Sequence, residues 1–301
     1  MASIKVDLQT LKGVQGKVVI ITGAANGIGK TAARLFYDYG ASVAIGDLDE
    51  QKGNTLAAEF GGRGHFMKTD ISGWASQRLL FASTFEKFGS VDYVIANAGM
   101  PEKSGFLWED RFDAAGDLEE PDLKLIDVNV KGTLFTSKLA LHYFEKNPKR
   151  GSALVVIGSA SGYFGGIPIA KYVTSKHALL GLVRSLAILG RERGFRANYI
   201  APWLTSTEFS SEIGEIWGDR PINSQMEVAE AILTACADKT LNGRGLFVAK
   251  QIVDTEVPLH QLESQWLGPE VAGIFEMGRA HIQQSFGKDP THYLETPGYQ
   301  E

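Results

Sequence analysis

Apolar positions along the chain fall into two alternating rhythms. Short runs of consecutive apolar residues, such as Val18-Val19-Ile20-Ile21, suit strands buried on both faces. Between them lie longer stretches in which apolar residues share one face at helical spacing, such as Ala32, Ala33, Leu35 and Phe36. Strands are expected at about 17–22, 42–47, 64–69, 91–96, 152–158, 196–201 and 245–250. Helices are expected at about 28–39, 49–60, 74–88, 122–146, 171–192 and 224–237. This alternation predicts an α/β protein with a doubly wound, mostly parallel sheet of about seven strands and helices on both faces. Right-handed crossovers would bring Gly23, Asp47, Asp70, Asn97, Ser159 and Pro202 to one rim, since each falls at or just after a strand end.

The first strand runs into the glycine-rich turn Thr22-Gly23-Ala24-Ala25-Asn26-Gly27-Ile28-Gly29, and a helix follows. Gly23 allows the tight turn, Gly27 lets backbone approach a pyrophosphate, and Gly29 permits close helix–strand packing. The helix N-terminus offers unpaired N–H groups to phosphates. A glycine pattern between a strand and a helix is the context that gives such a motif meaning. The second strand ends on Asp47, eighteen residues after Gly29. A carboxylate there can accept from the adenosine ribose hydroxyls and would repel a 2′-phosphate. No Arg or Lys stands at Asn26 or Leu48 to hold that phosphate, so NAD is expected over NADP. The structural alternative makes Asp47 the N-cap of the next helix.

Tyr172 and Lys176 lie four residues apart and share a helix face, with Ser159 thirteen residues before the tyrosine at the end of a buried strand. An ammonium beside a phenol favours the phenolate, so a lowered Tyr172 pKa and a general acid–base role are expected.

These marks together resemble the short-chain dehydrogenase/reductase family, the Tyr-dependent kind, over roughly residues 14 to 250. Through Asp47 and the segment Asp238 to Val248 the chain looks most like its NAD-dependent hydroxyprostaglandin-dehydrogenase-like branch. The resemblance implies a Rossmann-type fold and a catalytic set of Asn129, Ser159, Tyr172 and Lys176. Asn129 would support a water that passes protons beyond Lys176. Cofactor contacts would come from Gly23, Asn26, Gly27, Ile28, Gly29, Asp47, Leu48, Asp70, Ile71, Asn97, Ala98, Gly99, Tyr172 and Lys176, and from the late loop Pro202, Trp203, Leu204, Thr205 and Thr207. Asp70 and Ile71 would meet the adenine. The family has Gly where Trp203 stands, so a large ring and a strained backbone are in question there. Met100, Phe164, Ile167, Ile169, Trp203, Phe209, Ile213 and Trp217 would wall a pocket for a bulky, hydrophobic secondary alcohol or ketone. The resemblance also implies a homodimer or homotetramer. Two other readings stand beside this one: an NADPH-dependent ketoreductase, and a non-catalytic cofactor-binding sensor or scaffold.

Bulk properties narrow the field. The 301 residues, 44% hydrophobic, can bury a full core, so one domain over 1–257 with a C-terminal extension over 258–301 is expected. In the extension, Val271, Ile274, Phe275, Met277 and Ile282 suggest an amphipathic helix before a polar tail. A net charge of −5 without a basic run argues against nucleic-acid binding. The lone Cys236 excludes a disulfide framework, and six scattered histidines lack ligand spacing, so no metal is expected. The N-terminal residues do not read as a signal peptide and no stretch is long and apolar enough to span a bilayer, which suggests a cytoplasmic protein.

Overall fold

In each buried strand, successive side chains feed opposite cores. Val19, Ile21, Val43, Ile45, Val155 and Ile157 enter one cluster, and Ile20, Ala44, Leu154 and Val156 enter the other. That is why these strands read as unbroken apolar runs. The structure, a computed structural model, describes residues 3–147, 151–165, 169–211, 217–256, 268–271, 273–274 and 277.

The elements are β1 Ser3–Ile4, α1 Leu8–Leu11, β2 Val18–Thr22, α2 Gly27–Asp38, β3 Ser42–Asp47, α3 Glu50–Glu59, β4 Gly64–Lys68, α4 Trp74–Phe88 and β5 Tyr93–Ala96. A helix then begins as α5 Lys124–Ile126, widens into a π-helical turn at Asp127–Gly132 and continues as α6 Thr133–Lys146. After it come β6 Ser152–Ile157, α7 Ala170–Arg193, β7 Phe195–Pro202, α8 Gln225–Ala237, β8 Gly245–Val248 and β9 Ile252–Asp254. The strand order is β1-β9-β8-β7-β6-β5-β2-β3-β4. From β8 to β4 the pairs are parallel, and β9 and β1 add antiparallel edges. Helices α2, α3 and α8 cover one face, and α4, α6 and α7 the other.

The expected fold class holds, but the sheet has nine strands among the described residues rather than seven. The two extra strands span two and three residues, too short for a period of two to show in the sequence. The order reverses between β2 and β5, which opens a crevice at their C-terminal ends.

The chain divides into two compact units, 1–255 and 256–301. In the second, the described residues from 268 onward are helical, and Val271, Ile274 and Met277 are exposed. Phe275 and Ile282 lie outside the described residues. No helix among the described residues is long and apolar enough to cross a membrane.

Candidate active site

At the switch point, Gly23 has φ +68°, and a Cβ on it would stand 2.8 Å from Ala98 Cα. A Cβ on Gly29 would stand 2.2 Å from Gly23 O, so helix and turn touch backbone to backbone. Asn97 ties the end of β5 to the glycine-rich turn: its Nδ2 donates to Thr22 O and Gly23 O, both at 2.9 Å. The backbone N–H groups of Asn97 and Ala98 donate to Thr22 Oγ1. Asn26 caps α2 by accepting from Gly27 N at 3.0 Å. The cap of α3 is Asp49, not Asp47. Asp47 instead accepts from Ala25 N at 2.9 Å and from Asp49 N at 3.0 Å, which pins its carboxylate beside the glycine-rich turn. Leu48 is exposed next to it. Asp70 accepts from the Ser72 backbone and hydroxyl, and Ile71 is buried with its side chain against Gly132.

The second half of the site sits on β6 and α7. Ser159 follows β6 and hydrogen-bonds the Tyr172 hydroxyl. Its Oγ also accepts from Ser161 N at 3.1 Å. Lys176 is buried, its Nζ donating to Ile157 O at 3.1 Å and standing 5.4 Å over the Tyr172 ring. The π-helical turn carries Asn129 inward. Its Oδ1 accepts from Met100 N at 2.8 Å, and its Nδ2 donates to Met100 O and Ser175 Oγ. Such turns are frequent at functional sites. Gly99 joins the two halves, since a Cβ on it would lie 3.1 Å from Asn129 Oδ1 and 3.8 Å from Lys176 Nζ.

The expected lowering of the Tyr172 pKa is corrected here. Burial pushes the phenol up to about 12, with the Ser159 hydrogen bond pulling the other way. Burial pushes Lys176 down to about 8. In the free chain, removal from water outweighs the attraction of the neighbouring ammonium.

The late loop crosses back to the glycine-rich turn. Trp203 N donates to Val248 O at 2.9 Å, and Thr205 Oγ1 to Trp203 O at 2.8 Å. Trp203 has no positive φ, so the backbone strain in question there is absent. Its ring turns edge-on to Trp217, centroids 5.8 Å apart. Leu204 and Ser206 are held by Asn223. The Thr207 methyl stands 3.5 Å from where a Cβ on Gly27 would be. Of the expected pocket walls, Phe209 meets the Tyr172 ring, centroids 6.1 Å apart. Ile169 directly precedes α7, and Phe164 packs on Tyr163 and Phe247. Ile167 and Ile213 lie outside the described residues.

Sequence reasoning missed three residues. Tyr199, fully buried, reads as core in β7, yet its hydroxyl accepts from Ser159 N and faces Ser159 O and Lys176 O. The signal for it was the pair of glycines, Gly158 and Gly162, that make room for the ring. Glu208 accepts from Asn26 Nδ2 at 2.5 Å, and Glu102 accepts from Tyr172 N at 2.9 Å. Neither carries a periodicity signal.

A glycine-rich turn at a sheet switch point, beside a tyrosine–lysine–serine cluster, puts a cleft suited to a dinucleotide next to side chains able to move a proton. The chain belongs to the short-chain dehydrogenase family, whose model matches residues 17–216. It is 36% identical over 208 residues to the short-chain dehydrogenase/reductase prx4 of Penicillium roqueforti, covering 69% of this chain and 60% of that one. It is 28% identical over 295 residues to the 5′-hydroxyaverantin dehydrogenase of Dothistroma septosporum, covering 89% and 95%. Among solved structures, a 3-ketoacyl-(acyl-carrier-protein) reductase from Brucella melitensis complexed with NADH shares the fold, with a TM-score of 0.68, 24% identity and coverage of 78% and 97%.

Proposed function

We propose that the chain is a Tyr-dependent, NAD-linked alcohol dehydrogenase akin to the hydroxyprostaglandin-dehydrogenase-like branch, acting on a bulky hydrophobic secondary alcohol or its ketone. The observation that carries this reading is the convergence of Ser159, Tyr172 and Lys176 on the rim that also holds the glycine-rich turn. The residues fit a dinucleotide. Gly23 and Gly27 have the positive φ the turn needs, Asn26 caps α2, and the Asp47 carboxylate is aligned beside them by Ala25 N–H. Asp47 would accept from ribose hydroxyls and repel a 2′-phosphate, which favours NAD. Ile28, Leu48, Asp70, Ile71, Asn97, Ala98, Gly99 and the loop from Pro202 to Thr207 would complete that cleft.

A bound nicotinamide supplies the hydride acceptor. Tyr172 takes the hydroxyl proton of the alcohol, and Ser159 donates to the substrate oxygen and fixes its distance from the phenol. Lys176 spends one N–H on Ile157 O and has others for ribose hydroxyls and for the phenolate. Burial holds Lys176 down to about 8, so a proton can leave the neighbouring Lys176 and Tyr172 near that value, and an ammonium beside a phenolate is one form of the singly deprotonated site. Asn129 orders the backbone at Met100 and supports the water path behind Lys176. Met100, Phe164, Ile169, Trp203, Phe209 and Trp217 would provide the apolar walls, and the relative named a 5′-hydroxyaverantin dehydrogenase supports a hydroxylated substrate. The same reading extends to a cytoplasmic homodimer or homotetramer.

Two measurements test it. NADH should bind at least tenfold tighter than NADPH by fluorescence titration, and bicyclic secondary alcohols should be oxidised faster than small charged ones. Equal affinity for the two cofactors removes the role of Asp47, and turnover confined to small charged alcohols removes the substrate class.

A further inference from the structure

We propose that Glu102 is a positioning residue for Tyr172, and that the buried Glu102–Lys171 pair braces the segment 100–105 against the first turn of α7. The proposal rests on the dehydrogenase reading only for its effect on turnover. Tyr172 is the third residue of α7, and its N–H is one of the donors that a helix start leaves without an internal partner. Ile169, at the cap position, makes no side-chain cap bond. Glu102, from the loop after β5, supplies the missing acceptor: its Oε2 takes the Tyr172 N–H at 2.9 Å.

The other half of the brace is the residue next to Tyr172. Lys171 Nζ lies 4.0 Å from Glu102 Oε1 and donates to Gly105 O at 2.5 Å and Asp122 O at 3.1 Å. The side chains of Lys171 and Glu102 are only 5% and 1% exposed. Glu102 Oε1 is buried without a hydrogen-bond partner among the described residues. Apolar residues of matching volume often fill such a space as stably as a buried ion pair does. An ionic pair with one oxygen unsatisfied is therefore poorly explained by stability alone. It is well explained by geometry. One turn further along α7, Asn129 ties Met100 to Ser175. Segment 100–105 is thus fastened to α7 through Met100, Glu102 and Gly105, and the charged fastener acts on the amide of the residue whose hydroxyl must meet the substrate.

The test compares Glu102→Leu, Glu102→Gln and the double variant Glu102→Leu/Lys171→Met in the full chain. Amide hydrogen exchange over residues 170–173 is followed in the NADH complex. The kcat for oxidation of 1-tetralol with NAD and the Kd for NADH are measured alongside. Glu102→Leu should raise exchange at 170–173 at least tenfold and lower kcat at least tenfold, with the NADH Kd within twofold. Glu102→Gln keeps an acceptor for the Tyr172 amide and should stay within threefold of the parent in both. The double variant relieves the stranded cation, so it should regain melting temperature without regaining kcat, an outcome a purely structural role does not give. Parental exchange at 170–173 in Glu102→Leu, or parental kcat in the folded double variant, overturns the proposal. If the parent oxidises no alcohol, the dehydrogenase reading fails, and the exchange result still decides whether Glu102 holds Tyr172.

Discussion

Gly158→Ala should be among the most damaging single methyl additions in this chain, and Tyr199 is the reason. A Cβ at 158 would stand 1.8 Å from Tyr199 Cζ and 2.0 Å from its hydroxyl oxygen, inside the space of the ring. Tyr199 is fully buried in β7, and a Cβ on Gly162 would stand 2.0 Å from the same hydroxyl oxygen. The hydroxyl accepts from Ser159 N at 3.2 Å and faces Lys176 O at 3.1 Å and Ser159 O at 3.3 Å, of which its single proton serves one at a time. Overpacking costs about 1–3 kcal/mol, and stranding the part-buried Ser159 amide adds about 1–2 kcal/mol. We expect a loss of about 3–5 kcal/mol, which for a chain of this size lowers Tm by roughly 10 °C. Tyr199→Ala should cost about 3–5 kcal/mol through the cavity it leaves. On that background, Gly158→Ala should cost under about 0.5 kcal/mol, giving a coupling of at least about 2 kcal/mol in a double-mutant cycle read by urea unfolding. Costs that simply add, or a Gly158→Ala variant as stable as the parent, would refute the claim that this ring is wedged behind the site.

Three further outcomes follow from the site. Tyr172→Phe should lower kcat at least a thousandfold while leaving the NADH Kd within threefold, and undiminished turnover contradicts the proposed proton transfer. With Lys176 held at about 8, kcat/KM for oxidation should rise with pH through about 8. Lys176→Met should abolish that rise, and a profile flat from pH 6 to 10 in the parent contradicts the pairing. Stability should also follow pH above 8. The Cys236 thiol is pushed up from 9.0 to about 12 and the Tyr172 phenol from 10.0 to about 12, so the folded chain keeps protons that the unfolded chain loses. Those two contributions are intact below about pH 9 and are lost between about 9 and 12. Lys176, lowered from 10.5 to about 8, works the other way and gains stability between those values. The net expectation from urea unfolding is little change from pH 8 to 10 and a steep fall above 10.5. Cys236→Ala should remove up to about 1.4 kcal/mol per pH unit of that slope, and an unchanged slope counts against the buried thiol as its source.

The parts of the fold that could be read from the sequence are those in which one residue's neighbours along the chain decide its environment. The runs at 18–22 and 152–157 announced strands buried on both faces because the side chains alternate between two cores, and both cores want apolar residues. The glycine-rich turn was legible because three backbone requirements fall within seven residues. What escaped depends on contacts across long separations. Tyr199 reaches Ser159 forty residues away, Glu102 reaches Tyr172 seventy away, and Glu208 reaches Asn26 at a separation of 182. The Tyr172 pKa shows the same boundary most sharply. The spacing of Tyr172 and Lys176 correctly puts a cation beside the phenol, and proximity alone argues for a lowered value. Spacing along a helix says nothing of how much water the two groups have lost. Lys176 is itself buried and pushed down toward neutrality, so its charge is weakened by the same burial that raises the phenol. A pair arranged this way becomes a strong base only when something restores positive charge or hydrogen-bond donors around the phenolate, which ties proton abstraction to a filled cleft.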